Sequence, residues 1–354
     1  MSVKIKDVAI RAGVSTTTVS RVLNGEKYVK EELKKRVNNA IEELGYAPSH
    51  IARSLVRNKT DLIGVIVPDL TSSFYATILS SIEQTATSNG YNLLVCNINE
   101  DIDKELKYLN IFKEMRVEGI IIMHEKINEE IRGFINSLQI PVIFSSVKPM
   151  DQSFISVIVD DYSAAYDATK YLIELGHERI ALIGGDMRDI TSGQNRYVGY
   201  CNALRDHGLK IIHERIRFGD YKVKSGYERM GELLRYEQWP TAVFAVSDDM
   251  AIGAVNCIID HGMRVPGDIS VMGFDGSQMT ELVRPRITSM EQPIHHMGVV
   301  TVETLLQLIR GEIEQDEDII LGHRLEVRDS CRQRSISGSV SAGRYRERKN
   351  VEDI

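Results

Sequence analysis

Apolar residues recur along this chain in two rhythms, and the change from one to the other falls near residue 60. Ile5, Val8, Ala9 and Ala12 stand at helical spacing, with Gly13 where a helix would end in a left-handed turn. Ser15 is a good N-cap for a second helix over residues 16 to 24. Its Val19, Val22 and Leu23 face inward, leaving Thr16, Thr17, Ser20 and Arg21 outward. A third helix over 30 to 44 carries Leu33, Val37, Ile41 and Leu44 on one face and stops at Gly45. After Pro48, Ser49 can cap two further helical turns over 49 to 56. Past residue 60 the pattern becomes apolar strands (62–67, 91–96, 119–123, 141–145, 180–183, 242–246, 269–273) alternating with amphipathic helices (74–89, 106–115, 162–175, 197–207, 226–234, 251–261). Such alternation predicts an α/β body of parallel sheets covered on both faces. Two lobes of this kind leave a cleft at the carboxyl ends of their strands, where open α/β sheets bind ligands.

Charge changes the picture most. The chain carries a net charge of -7, yet residues 1 to 60 hold 12 basic and 6 acidic residues against 31 and 44 in the remainder. A basic head on an acidic body predicts that only the head meets a polyanion. Two short helices joined by a glycine turn, the second exposing hydroxyls and a guanidinium, form a helix-turn-helix suited to the major groove of DNA. By pattern alone, a three-helix cap with a solvated basic face remains open as the alternative.

Composition and motifs narrow the classes further. At 354 residues the chain exceeds one small core. No apolar run reaches the roughly 18 residues of a membrane span, and the start lacks the apolar stretch of a secretory signal, so a cytoplasmic protein is expected. Cys96, Cys201, Cys257 and Cys331 lie far apart, which argues against a zinc knuckle or redox pair. Neither metal nor cofactor is expected. An enzyme of doubly wound fold is disfavoured: no Gly-x-Gly-x-x-Gly follows the first strand, Gly184-Gly185-Asp186 lacks the remaining glycine, and no Gly-x-Ser-x-Gly elbow occurs. His295 and His296 are adjacent and cannot share one helical face.

Specific residues carry a resemblance. Asp7-Val8-Ala9, Ala12-Gly13-Val14-Ser15, Thr18-Val19-Ser20-Arg21-Val22-Leu23-Asn24 and Leu44-Gly45-Tyr46-x-Pro48 resemble, in order and spacing, the head of the lactose/galactose repressor (LacI/GalR) family. Gly176-His177-x-x-Ile180-Ala181, Arg196-x-x-Gly199-Tyr200, Ser247-Asp248-x-Met250-Ala251 and Val271-x-Gly273-Phe274-Asp275 are similar to its effector domain, itself shaped like periplasmic sugar-binding proteins. The resemblance implies a helix-turn-helix domain at 1–46, a hinge at 47–60 and an effector-binding and dimerisation domain at 61–333. Within that domain it implies one lobe of 61–160 and 291–321 and another of 161–290 and 322–333. The stretch 334–354 reads as a disordered tail without leucine heptads, so a homodimer is expected.

The same resemblance implies a repressor of carbohydrate genes on a pseudo-palindromic operator. Thr16, Thr17 and Arg21 would read bases, while Ser15, Thr18, Tyr28 and Lys30 would lie near phosphates. Ser49 would open a hinge helix whose Leu55 wedges into the minor groove. A sugar effector would meet Arg196 and Asp275, stack on Tyr221, and touch Phe74 and Tyr75 from the opposite lobe. Ser146, Ser192, Ser247 and Gln292 would add contacts. Two alternatives stay open here: Arg196 and Asp275 can pair with each other across a closed cleft, and Phe74-Tyr75 can be core packing. Asp103-Lys104-Glu105-Leu106 and Val283-Arg284-Pro285 also resemble global carbon-catabolite regulators of the family, which would add a phosphorylated carrier protein as corepressor. A periplasmic sugar receptor fits neither the basic head nor the unsignalled start.

Overall fold

A computed structural model describes residues 3–23, 28–46, 59–99, 101–149, 154–314 and 317–334. The hinge with Ser49 and Leu55, the end of the second helix at Asn24, and the tail from 335 lie outside the described residues.

The head consists of α1 (Ile5–Ala12), α2 (Thr16–Leu23) and α3 (Glu31–Leu44). Gly13 ends α1 in the left-handed region at φ 62°, letting Val14 N–H reach back to the Ala9 carbonyl at 3.0 Å. Arg36 of α3 seals this corner by donating to the carbonyls of Ala12 (2.6 Å) and Gly13 (3.1 Å), placing a cation at a helix C-terminus. Val8, Ala9, Ala12, Val19, Val37 and Ala40 make the small core, with Val22, Leu23, Ile41 and Leu44 packed around it.

The body contains two six-stranded sheets. In lobe 1 the strands are β1 (Leu62–Val67), β2 (Asn92–Asn97), β3 (Gly119–Ile122), β4 (Val142–Ser145), β5 (Ile155–Val159) and β11 (Ile319–Leu321), ordered β11-β5-β4-β3-β1-β2 and all parallel. In lobe 2 they are β6 (Ile180–Gly184), β7 (Ile216–Phe218), β8 (Ala242–Ala245), β9 (Ser270–Asp275), β10 (Thr288–Glu291) and β12 (Arg324–Glu326), ordered β12-β10-β9-β8-β6-β7. The last strand alone departs from the parallel expectation, running antiparallel to β10. The central strands are buried on both faces, and β1, β3 and β5 are rich in Ile and Val, as helix-covered parallel sheets favour.

Crossovers arise from sequence order. After β5 the chain enters lobe 2; after β10 the helix Ile294–Arg310 returns to pack on Ser73–Ser88 of lobe 1; after β11 it re-enters lobe 2. Helix Ile102–Met115 starts earlier than hydrophobic periodicity places it, because Asp101 accepts from the backbone N–H of Asp103 and Lys104 and caps a polar first turn. Helices Glu129–Leu138 and Ile294–Arg310 were not anticipated. The second buries Ile294, Met297, Thr301, Val302 and Leu305 on one continuous face and leaves His295, His296, Glu303 and Gln307 on the other, an ordinary amphipathic stripe that the sequence reading passed over.

Candidate functional site

On the head, Thr16, Thr17 and Arg21 lie exposed on α2, the helix that follows the glycine turn. Ser15 serves as that helix's cap, since its Oγ accepts from Thr18 N–H at 3.1 Å and lies 2.9 Å from Thr18 Oγ1. Tyr28 is 98% exposed and Lys30 is exposed just before α3. The arrangement brings hydroxyls, a guanidinium and an ammonium to the surface of a small unit whose core is built from Val8, Ala9, Ala12, Val19, Val37 and Ala40.

The body's main cleft opens between the lobes at the carboxyl ends of the strands. Of the residues expected there from sequence, Phe74, Tyr75, Ser192, Arg196, Tyr221, Ser247 and Asp275 line it. Ser146 and Gln292 are not among its lining residues. At Ser146 the backbone turns through φ 66°, and Val147 takes the wall instead. Gln292 stands behind Asp275, donating its Nε2 to Asp275 Oδ1 at 2.8 Å.

Arg196 is the fixed point of the lobe 2 wall. It opens helix Arg196–Asp206 directly after a π-helical segment, Ile190–Asn195, and is only 5% exposed. Its Nε donates to Asp161 Oδ1 at 2.6 Å, its Nη1 donates to the Val246 carbonyl at 2.6 Å and lies 3.8 Å from Asp275 Oδ1, and the guanidinium stacks 3.8 Å from the Phe274 ring centroid. Burial works against this charge, but Asp161 and Asp275 outweigh it and hold the guanidinium more basic than usual. The expected alternative of Arg196 and Asp275 meeting across the cleft is corrected: both belong to lobe 2 and approach each other along one wall.

Carboxylates around Arg196 are displaced in the other direction. Burial pushes Asp275 well above the usual carboxylate range, only partly countered by Arg196, and Asp248 adds to the rise. Asp248 is itself pushed up to about 6 by burial, although Ser289 Oγ and Ser277 N–H each donate to it at 2.6 Å. Asp275 also sits at φ 115°, a backbone region that side-chain-bearing residues rarely occupy. Its carbonyl accepts from Gln292 N–H at 3.0 Å, which helps hold the turn. The sequence reading missed Asp248 as a cleft residue.

Tyr221 owes its place to a glycine. A Cβ on Gly185 would come within 2.1 Å of the Tyr221 hydroxyl, so Gly184-Gly185-Asp186 makes room for a phenol, not for a phosphate. The hydroxyl donates to Asp189 Oδ2 at 3.2 Å and lies 3.0 Å from Ser192 Oγ. Burial and the Asp189 charge make this phenol a weaker acid than usual. Ser247 spends its hydroxyl on structure, accepting from Met250 N–H at 3.2 Å and donating to the Tyr221 carbonyl at 3.3 Å.

Lobe 1 supplies a different set. Phe74 and Tyr75 meet edge to face with centroids 5.3 Å apart at the start of helix Ser73–Ser88, and they both line the cleft and pack on the core. His124 follows β3, with its Nε2 3.0 Å from the carboxylate of fully buried Glu105. Beside it, Glu125 accepts from Ile190 N–H, from Thr191 N–H at 3.0 Å and from Thr191 Oγ1 at 2.6 Å, all in lobe 2. Lys126 lies 3.5 Å from Asp189, and Asp69 lies 3.4 Å from Lys222. None of these inter-lobe residues was singled out from sequence, because no periodicity marks which loop tips will face one another. Among the described residues no cluster of three or more metal-ligating side chains occurs, and no helix is long and apolar enough to cross a membrane.

Comparison with known proteins assigns both parts. Residues 4–49 match the model for bacterial regulatory proteins of the lacI family, and residues 60–328 match that for periplasmic binding proteins and the sugar-binding domain of the LacI family. The chain is 38% identical to the HTH-type transcriptional regulator RegA of Clostridium saccharobutylicum, over 93% of this chain and 99% of that one. It is 37% identical to catabolite control protein A of Priestia megaterium, over 94% and 100%. The lac repressor dimer bound to operator and the anti-inducer ONPF superposes with a TM-score of 0.85 at 27% identity, covering 93% of this chain and 99% of that one. A helix-turn-helix head on a two-lobed α/β body, matched along nearly its whole length, makes this chain a member of the LacI family of DNA-binding transcriptional regulators.

Proposed function

We propose that this protein is a cytoplasmic, non-enzymatic repressor of carbohydrate-metabolism genes, in which a sugar held between the lobes sets the affinity of two paired heads for operator DNA. The observation that carries the reading is the cleft wall around Arg196. A guanidinium already fixed by Asp161, the Val246 carbonyl and Phe274 stands beside Asp275 and Tyr221, offering charged and aromatic contacts at no further ordering cost. Planar hydrogen-bonding groups and an aromatic face are what a sugar's hydroxyls and C–H side require.

In this reading Thr16, Thr17 and Arg21 contact base edges, and Ser15, Thr18, Tyr28 and Lys30 lie along phosphates. Residues 47–60 connect head to lobes as a hinge, with Leu55 at the centre of a pseudo-palindromic site. The effector contacts are Arg196, Asp275, Tyr221, Ser192, Phe74 and Tyr75. Effector and operator are then linked reciprocally, each changing the other's affinity by one factor. Selection of DNA from a random pool with the full chain, followed by titration of the selected duplex in the presence of sugars, tests the whole scheme. We expect a two-fold symmetric site whose affinity at least one sugar changes by tenfold or more. Recovery of no enriched sequence, or an affinity indifferent to every sugar, overturns it.

A further inference from the structure

Charge in the cleft narrows the effector class, on the reading that the cleft is a sugar site. Seven carboxylates but only three Lys or Arg side chains border it. Each of the three cations already faces a carboxylate: Arg196 with Asp161, Lys126 with Asp189, Lys222 with Asp69. Behind the lobe 1 wall, the fully buried Glu105 carboxylate adjoins His124 and adds to the acceptor-rich surroundings.

We infer that the cleft takes an uncharged, hydroxyl-rich ligand and rejects the corresponding phosphate ester. A polyol brings O–H donors to an excess of carboxylate acceptors and carries no charge to be repelled. A phosphate brings up to two negative charges and three acceptor oxygens, and would have to break an existing ion pair to gain a cation. The strongest counter-argument is the amino end of helix Ser73–Ser88, which opens on the cleft at Ser73, Phe74 and Tyr75. A helix N-terminus is equivalent to roughly half a positive charge. With Asp69 and Asp189 already set against Lys222 and Lys126, the carboxylates that remain along the cleft still outweigh it several-fold. Even with Asp275 and Asp248 protonated, carboxylates outnumber Lys and Arg.

Matched pairs test the inference: glucose and glucose 6-phosphate, ribose and ribose 5-phosphate, fructose and fructose 6-phosphate, and cellobiose with its 6-phosphate. Each is titrated against the full chain at equal ionic strength, with thermal shift and calorimetry as readouts. The neutral member of at least one pair should raise Tm and bind at least tenfold more tightly than its ester. Asp220→Lys, at an exposed cleft position that supports no buried group, should narrow that gap by about tenfold through the ester. An ester that binds as tightly as its neutral partner overturns the inference while leaving the sugar reading in place. Discrimination unmoved by Asp220→Lys overturns charge as its cause. If no member of any pair binds, the sugar reading falls and the inference falls with it.

Discussion

The two walls of the cleft are ordered by different means. In lobe 2, Arg196 is 5% exposed and Asp275 8%; their partners Asp161, Val246 and Phe274 belong to the same lobe, and Gln292 stands where the chain leaves β10 for lobe 1. In lobe 1, Glu125 accepts from Ile190 and Thr191 of lobe 2, and Lys126 and Asp69 face Asp189 and Lys222 there. The Arg196 cluster is therefore complete within its own lobe. The loop tips at Glu125 and Lys126 are finished by the approach of the opposite lobe. For a binding protein this division has a physical logic: the template lowers the ordering cost of ligand capture, while the dependent wall makes lobe closure sensitive to what the template holds.

The comparison breaks first at Arg196. Replacing it by alanine leaves Asp161 buried with no cation, and removal of one partner of such a pair costs about 3–5 kcal/mol. Urea unfolding of Arg196→Ala should show that loss. Asp161→Ala combined with it should cost clearly less than the two single losses together, because the orphaned carboxylate is gone as well. Strictly additive costs would mean that the pair is not the organising contact of the lobe 2 wall.

Acid should reveal the internal order of lobe 2 next. His177 is 4% exposed, with Nδ1 3.1 Å from Thr241 Oγ1 and Nε2 3.2 Å from the Arg332 carbonyl, and burial pulls its pKa from 6.5 down to about 4. The unfolded chain therefore binds a proton that the folded one refuses between those values. Its contribution is complete above pH 6.5 and is lost as pH falls towards 4, by about 2–3 kcal/mol after allowance for partial solvation. Asp248, raised to about 6, acts in the opposite sense: protonation below that value relieves a buried charge. The two overlap between pH 6 and 4 and flatten the wild-type profile. The diagnostic quantity is the difference between wild type and His177→Gln, which should shrink as pH is lowered from 7 to 4. A difference constant over that range would remove the buried neutral imidazole from the account.

Much of this architecture is legible in the sequence, and the illegible parts share a cause. The strand at 62–67 was placed by its unbroken apolar run, which burial on both faces requires, and the helix at 161–174 by its helical period, each within a residue of its bounds. Helix Ile294–Arg310 carries a legible stripe at Ile294, Met297, Val302 and Leu305 that was simply passed over, whereas β11 and β12, with only three residues each, are too short to show a period. Within the cleft, Arg196, Asp275 and Tyr221 were reached through the resemblance, whereas pattern alone identifies none of them. Glu125, Lys126 and Asp69 were missed because their partners lie on another lobe, 63 residues or more away in sequence, and no local signal encodes that meeting. Ser146 and Gln292 were over-read: a position next to a strand end does not decide whether a side chain faces the cleft or a neighbour behind it.

The smallest expected effect gives the sharpest test of the contrast. Glu125→Gln keeps the shape of the side chain but removes its charge and turns one acceptor oxygen into a donor, which can no longer take the N–H of Ile190 or the groups of Thr191. The site is half-exposed, so about 1 kcal/mol is expected, roughly a fivefold change in the ratio of closed to open lobes. Global unfolding should hardly register it, because about 1 kcal/mol at one partly exposed contact is small beside the buried core that runs through both lobes. Small-angle scattering should: the variant's radius of gyration is expected to rise and the wild-type value to return when a bound sugar closes the lobes. Were the variant to scatter like the wild type while its unfolding midpoint fell, Glu125 would be stabilising lobe 1 itself. Both walls would then be self-sufficient, and sensitivity to the ligand would have to originate elsewhere than in the order of lobe 1.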